Sequence, residues 1–293
     1  MHSKLLTASY QYCQNLAKKH YENFPVASWF LPKKLRQPIT VIYAFARTAD
    51  DFADEGNLSS QQRLKLIANY HQELSLLKQH KLNSDNPIFI ALYDVIQKFQ
   101  LPIELFHHLL EAFEQDVNTR QYQDFTQLLN YCHKSASPIG RLLLHLHNEN
   151  SPDNLQLSDK ICSALQLINF LQDMQQDALE SKRLYIPLND IELFQLDDNI
   201  LLKRIKSGEI FNKNERLLFK YQIQQAEKLL LDGKLLINQL SGRFRFEIAL
   251  IVSSGLKVLQ QLKKSNKFSD RPRLTSWDKV TILTTSIRFY WID

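Results

Sequence analysis

The stretch Tyr43-Ala-Phe-Ala-Arg47-Thr-Ala-Asp50-Asp51-Phe-Ala-Asp54-Glu55 places four acids in a run that is otherwise largely apolar. Asp50 and Asp54 lie four residues apart, so a helix projects them from one face, about a turn apart. Arg47 and Tyr43 continue that stripe. Gly56 is the natural stop, which leaves the acids at the partly negative carbonyl end of the helix, a placement disfavoured by roughly 0.3–1 kcal/mol per charge. A solvated acidic helix end would account for an isolated D-D-x-x-D. Here Val41-Ile42-Tyr43-Ala44-Phe45-Ala46 and Phe52-Ala53 read as a buried helix. The acids are therefore expected to face an interior cavity, where carboxylates must be paired or bind metal.

A second stretch answers the first. In Gln166-Leu-Ile-Asn169-Phe-Leu-Gln172-Asp173-Met-Gln-Gln-Asp177, oxygen-bearing side chains recur at 169, 173 and 177, with Gln166 one step earlier. On a continuous helix they form a stripe drifting about 40° per step, flanked by Leu167, Ile168, Phe170 and Leu171. Alone, a hydrogen-bonded polar seam would explain it. Together, the two rows offer hard oxygen donors without histidine or cysteine, the donor set that suits Mg²⁺, which keeps waters and binds substrate phosphates. Opposed acidic faces repel unless cations and an anionic group lie between them, and a diphosphate bridged by Mg²⁺ meets that need.

Outward from these rows the chain reads as all-α. Its 293 residues are 44% hydrophobic and 23% charged, a globular balance, and six glycines leave little material for tight hairpins. Helical periodicity is expected over 3–20, 35–55, 60–80 with Ser60 as cap, 87–99, 102–116, 126–147 with a kink or break at Pro138, 158–180, 212–240, 243–264 and 276–291. Short connections and the lack of a linker-like segment indicate one domain over 1–293. The net charge of +5 fits anionic small substrates or an acidic membrane surface, and no nucleic-acid-binding pattern accompanies it. Cys13, Cys132 and Cys162 lack metal-ligand spacing and read as reduced thiols. With neither a leader nor a run of roughly 20 apolar residues, the expectation is a cytoplasmic protein, with peripheral contact at the inner membrane left open.

At these residues the chain resembles the squalene/phytoene synthase family over nearly its whole length. The marks are Tyr43, Arg47 and Asp50-Asp51-x-x-Asp54, then Tyr131, Gln166-x-x-Asn169-x-x-x-Asp173-x-x-x-Asp177, and Arg183-Leu-Tyr185-Ile-Pro187. The resemblance implies a helical prenyl-synthase bundle around a central cavity flanked by the two acidic helices, with more than one Mg²⁺. In two places the chain departs from phytoene and squalene synthases. Gln172 stands where an arginine usually precedes the first aspartate of the second motif, and the early His-x-x-Ser-Phe segment becomes His20-Tyr-Glu-Asn23-Phe24, followed by Pro-Val-Ala-Ser28. Both features resemble the bacterial hydroxysqualene synthase branch of hopanoid pathways.

That branch implies conversion of presqualene diphosphate to hydroxysqualene by ionisation, rearrangement and water capture. Asp50 and Asp54 would hold one metal group, and Asn169, Asp173 and Asp177 another, with Tyr43 completing the catalytic set. Arg47, Asp51, Asn23, Gln166, Gln172, Arg183 and Tyr185 would contact substrate, while Phe24, Tyr43 and Tyr131 present ring faces to the cation. Arg271 and Arg273 read as solvated loop residues or as contacts to diphosphate or anionic lipid. No glycine-rich nucleotide loop is present, so NADPH is not expected. Farnesyl diphosphate condensation, as in presqualene diphosphate, squalene or phytoene synthases, is the nearest rival. A non-catalytic assembly protein of the same fold and a lipid-binding module are rivals of another class. Other hopanoid-pathway enzymes are conceivable partners.

Overall fold

The computed structural model describes residues 2–19, 32–54, 56–81, 84–181 and 183–291. Among them the chain is all-α: extended pairing is confined to the isolated bridges Gln121–Leu184 and Ile210–Lys267. In chain order the helices are α1 His2–Lys19, α2 Lys33–Asp54, α3 Ser60–Lys78, α4 Pro87–Phe99, α5 Ile103–Asn118, α6 Phe125–Ser135, α7 Ser137–His147, α8 Pro152–Gln172 and α9 Met174–Glu180. There follow α10 Leu188–Leu193, α11 Asp198–Ser207, α12 Lys213–Gly233, α13 Leu236–Gln239, α14 Gly242–Leu262 and α15 Ser276–Trp291. No helix among the described residues is long and apolar enough to cross a membrane.

The chain divides into two compact units, Met1–Asn118 with Pro138–Asn150, and Thr119–Ser137 with Ser151–Asp293. In the first, α2 is the central element and α1, α3, α4 and α5 pack on it. Its fully buried Phe45 meets Phe89 and Phe106 edge-on at 5.9 and 5.3 Å, with Tyr70 at 5.5 Å. Such pairs add about 0.5–1.5 kcal/mol each beyond the area they bury, so the helix carrying Asp50 is held firmly along its apolar side. Helix α2 begins at Lys33, two residues before the expected start, which puts Pro38 inside it. Proline supplies no N–H, and one rung of the ladder is missing there.

In the second unit α8 runs along α12, and α14 packs on α15, α12 and α8. Gly233 lets α12 approach α8: a methyl group there would lie 2.7 Å from Ile161 Cγ1, 2.9 Å from Ile161 N and 3.0 Å from the Leu157 carbonyl.

Several sequence expectations change in detail. Ser59, not Ser60, caps α3, accepting from Gln62 N–H while the Gln62 side chain accepts from Ser59 N–H. The break expected near Pro138 in the 126–147 segment is present, with α6 ending at Ser135 and α7 beginning at Ser137. The segments of α10 and α11 carry no long periodic signal and were not expected as helices. Gly56 adopts φ +75°, the left-handed conformation expected where α2 must stop.

Candidate active site

The first acidic group occupies the last turns of α2, in the first unit. Arg47 is paired with Asp51 at 2.7 Å and reaches Asp50 at 3.7 Å. Asp50 keeps 38% of its side-chain surface open, yet it sits deep among protein atoms, and burial first, then the Asp54 charge, push its pKa up to about 7. Arg47 opposes this; Asp116 and Asp51 add to it. Tyr43, one helical step further back, has its phenol pKa raised, again chiefly by burial. Asp54 itself is exposed, so the expectation that every acid of this row faces an interior is corrected: α2 ends there, and its terminal turn reaches solvent.

Asp116 belongs to this group although the motif reading omitted it. It is 5% exposed on α5, at an otherwise apolar position between Phe113 and Val117. A carboxylate on the buried face of an amphipathic helix was the available signal.

The second acidic group lies in the other unit. The expected continuous helix over 158–180 is broken at Asp173, which has φ −101° and ψ 9° and separates α8 from α9. The backbone ladder nevertheless crosses the break, since Asp173 N donates to the Asn169 carbonyl at 2.9 Å and Asp177 N to the Asp173 carbonyl at 2.8 Å. Asn169, Asp173 and Asp177 thus stay in sequence register on a bent, not straight, stripe. Asn169 is exposed, while Gln166, Asp173 and Asp177 are half-buried.

Around this stripe the loop before α15 closes in. Arg271 Nε meets Asp173 Oδ1 at 2.6 Å, and Gln172 Nε2 donates to the Pro272 carbonyl at 2.9 Å. Arg271 is therefore an ion-pair partner of the second motif, not the solvated loop residue that composition favoured. Arg183 is buried and lies 3.5 Å from the Tyr185 hydroxyl. Asp177, Arg183 and Tyr185 line a small cavity with Phe170, Met174 and Gln222. Tyr185 stacks face to face on Phe170 at 3.7 Å and 5°, and Tyr131 completes the panel at 5.9 Å from Tyr185. The strand-like contact of the Arg183 segment with residues 120–123, through Leu184 N to the Arg120 carbonyl at 3.1 Å and Leu188 N to the Tyr122 carbonyl at 2.9 Å, fixes that panel. Asn23 and Phe24 lie outside the described residues.

The donor set fits a hard divalent cation. The α2 group is all oxygen, and the raised pKa at Asp50 reflects burial first and the charges of neighbouring acids second, with Arg47 opposing both. Among the described residues no three His, Cys, Asp or Glu side chains converge as a ready metal site. A cation here would draw the rest of its shell from water and a phosphate, the habit of Mg²⁺ rather than of Ca²⁺ or Zn²⁺.

The squalene/phytoene synthase family model matches residues 17–278, a range that takes in both acidic groups. The hydroxysqualene synthase of Sinorhizobium fredii is 30% identical over 255 residues, covering 87% of this chain and 84% of that protein. That of Zymomonas mobilis is 31% identical over 260 residues, covering 85% and 82%. The crystal structure of squalene synthase HpnC from Alicyclobacillus acidocaldarius superposes with a TM-score of 0.80 at 30% identity, covering 88% of this chain and 94% of that one. With its helical fold and both acidic motifs in place, the chain belongs to the squalene/phytoene synthase family and is an isoprenoid synthase.

Proposed function

We propose that the chain converts presqualene diphosphate and water to hydroxysqualene, diphosphate and a proton, with Mg²⁺ as cofactor and both units serving one catalytic domain. The observation that carries this reading is the grouping of Asp50 with Asp54, Asp51 and Asp116 in a buried setting, where burial and then these charges disfavour its ionisation while Arg47, 3.7 Å away, opposes them. Such a cluster is costly to a fold and useful to an enzyme that must bind a cation-bridged leaving group. The choice of reaction within the family is supported by the likeness to two hydroxysqualene synthases and by the neutral Gln172.

Asp50 and Asp54, and separately Asn169, Asp173 and Asp177, are the side chains to hold Mg²⁺, which when bound stabilises charge growing on the diphosphate as its carbon–oxygen bond breaks. Arg47, oriented by its 2.7 Å pair with Asp51, and buried Arg183 donate charge-assisted hydrogen bonds to diphosphate oxygens. Tyr43, kept protonated by burial, is a further donor to the leaving group. The panel of Tyr131, Phe170 and Tyr185 offers ring faces to the allylic cation, worth about 0.5–2 kcal/mol each. Gln172 directs its amide N–H to the Pro272 carbonyl, leaving the amide oxygen to accept a hydrogen bond from the water that captures the cation, whose proton is released with the products.

The test is product analysis by mass spectrometry with presqualene diphosphate and, separately, farnesyl diphosphate, each with and without Mg²⁺. Hydroxysqualene from the first substrate alone, lost on chelation, is the expected result; no Mg²⁺-dependent diphosphate release overturns the proposal. A second reading, condensation of farnesyl diphosphate, is favoured by the name of the solved relative, a squalene synthase, and consumption of farnesyl diphosphate would select it.

A further inference from the structure

Helix α15 turns only a narrow face to the protein. Asp278, Ile282 and Ser286 are buried, and Asp278 is tied down by Thr275, Gln261 and Lys257. The opposite face is open and apolar: Trp277 is 81% exposed and Trp291 76%, with Val280, Leu283 and Ile287 exposed between them. At 100° per residue these five side chains fall within an arc of about 120°. Lys279 sits on one margin of that arc and Arg288 on the other, both exposed. The only carboxylate among the described residues of the helix, Asp278, points away from this face into its ion pair with Lys257. Further positive charge flanks the helix where Lys234 lies 4.5 Å over the Phe289 ring and Arg245 5.3 Å over Tyr290.

We propose that this face of α15 docks the enzyme on an anionic lipid bilayer, the helix lying in the plane of the interface. Leaving two indoles and three aliphatic side chains in water is unfavourable, and a patch of this kind marks a binding surface. Indoles at both ends suit the headgroup level, where an apolar ring and a polar N–H are satisfied together. Basic side chains on both margins allow their stems to cover apolar surface while their charges meet lipid phosphates. A second copy of the chain is the competing occupant, but antiparallel pairing of two such faces would set Lys279 and Arg288 of one copy against the like charges of the other. The proposal does not depend on which reaction of the family the chain performs, although an apolar isoprenoid product is well served by release beside a bilayer.

The experiment is flotation of the full chain with vesicles of phosphatidylcholine plus phosphatidylglycerol and with phosphatidylcholine alone, together with sedimentation equilibrium in the absence of lipid. Binding is expected to the anionic vesicles, to weaken with salt and on the neutral vesicles, and to fall at least about tenfold in the double variant Trp277→Ser, Trp291→Ser, whose helical circular dichroism is unchanged. The proposal is overturned if the folded chain ignores anionic vesicles, or if the double variant binds them as well as the parent. It is equally overturned if the lipid-free chain is a dimer that the two substitutions dissolve.

Discussion

Asp50 shows how one side chain can weigh on a fold while serving a reaction. Its carboxylate is held where burial and three other acids oppose ionisation, so replacing it by a neutral isostere should relieve the protein and cripple the enzyme. Asp50→Asn is expected to lower kcat/KM by roughly 10²–10³-fold while raising the thermal midpoint of the metal-free protein, read by diphosphate release and scanning calorimetry. A lowered midpoint together with full activity would contradict both halves of the argument. Gln172 tests a different point. Its amide is engaged by the Pro272 carbonyl beside the Arg271–Asp173 pair, and an arginine there would bring a second guanidinium to Asp173. Gln172→Arg is expected to shift the ratio of hydroxysqualene to other C30 products several-fold, measured by mass spectrometry. An unaltered ratio would remove Gln172 from the water-capture step.

Helices decide where such residues stand, and their joints were the less predictable part. The acid-bearing end of α2 was legible because its apolar stripe, its acids and Gly56 all agree locally. The bend at Asp173 was not legible: nothing in Gln172-Asp173-Met174 forbids a helix, and the break coincides with contacts to a loop about a hundred residues later. The approach of α8 to α12 rests on one glycine whose significance also lies in a distant partner. Because a Cβ at 233 would meet backbone atoms of Leu157 and Ile161 at 3.0 and 2.9 Å, Gly233→Ala should force the helices apart, despite the better helix propensity of alanine. A loss of about 1–3 kcal/mol is expected in urea denaturation. Unchanged or increased stability would mean that the two helices can separate at little cost.

On the scale of the whole chain, a half-buried histidine and a buried glutamate tilt the pH dependence of the two units in opposite directions. His147, in the first unit, has its pKa lowered to about 4, mainly by burial. The unfolded chain therefore binds the extra proton between about pH 4 and the ordinary 6.5, and stability is lost as pH falls through that window. Glu247, in the second unit, is raised to about 7 by burial, and its Oε1 has no hydrogen-bond partner among the described residues. Here the folded state holds the proton, so stability is lost as pH rises from about 4.5 to 7. Each effect is at most about 3 kcal/mol. Hydrogen exchange corrected for intrinsic rates should show the His147→Gln variant losing the acid-side slope in 1–118 and 138–150, and Glu247→Gln gaining protection in 151–293 above pH 7. Slopes identical to the parent in both variants would refute the assignment.

What the amino-acid order determined by itself was everything that depends on near neighbours along the chain. The existence of the long helices, the two rows of oxygen donors and the stop at Gly56 follow from periodicity and backbone conformation, which need no distant partner. The tertiary structure decided the rest: Asp116 beside Asp50, Arg271 on Asp173, the Tyr185–Phe170 stack, and which face of α15 is left to solvent. Those outcomes join residues far apart in sequence. Whether a side chain is buried, paired or exposed is set by what packs over it, and local periodicity names the face but not its occupant.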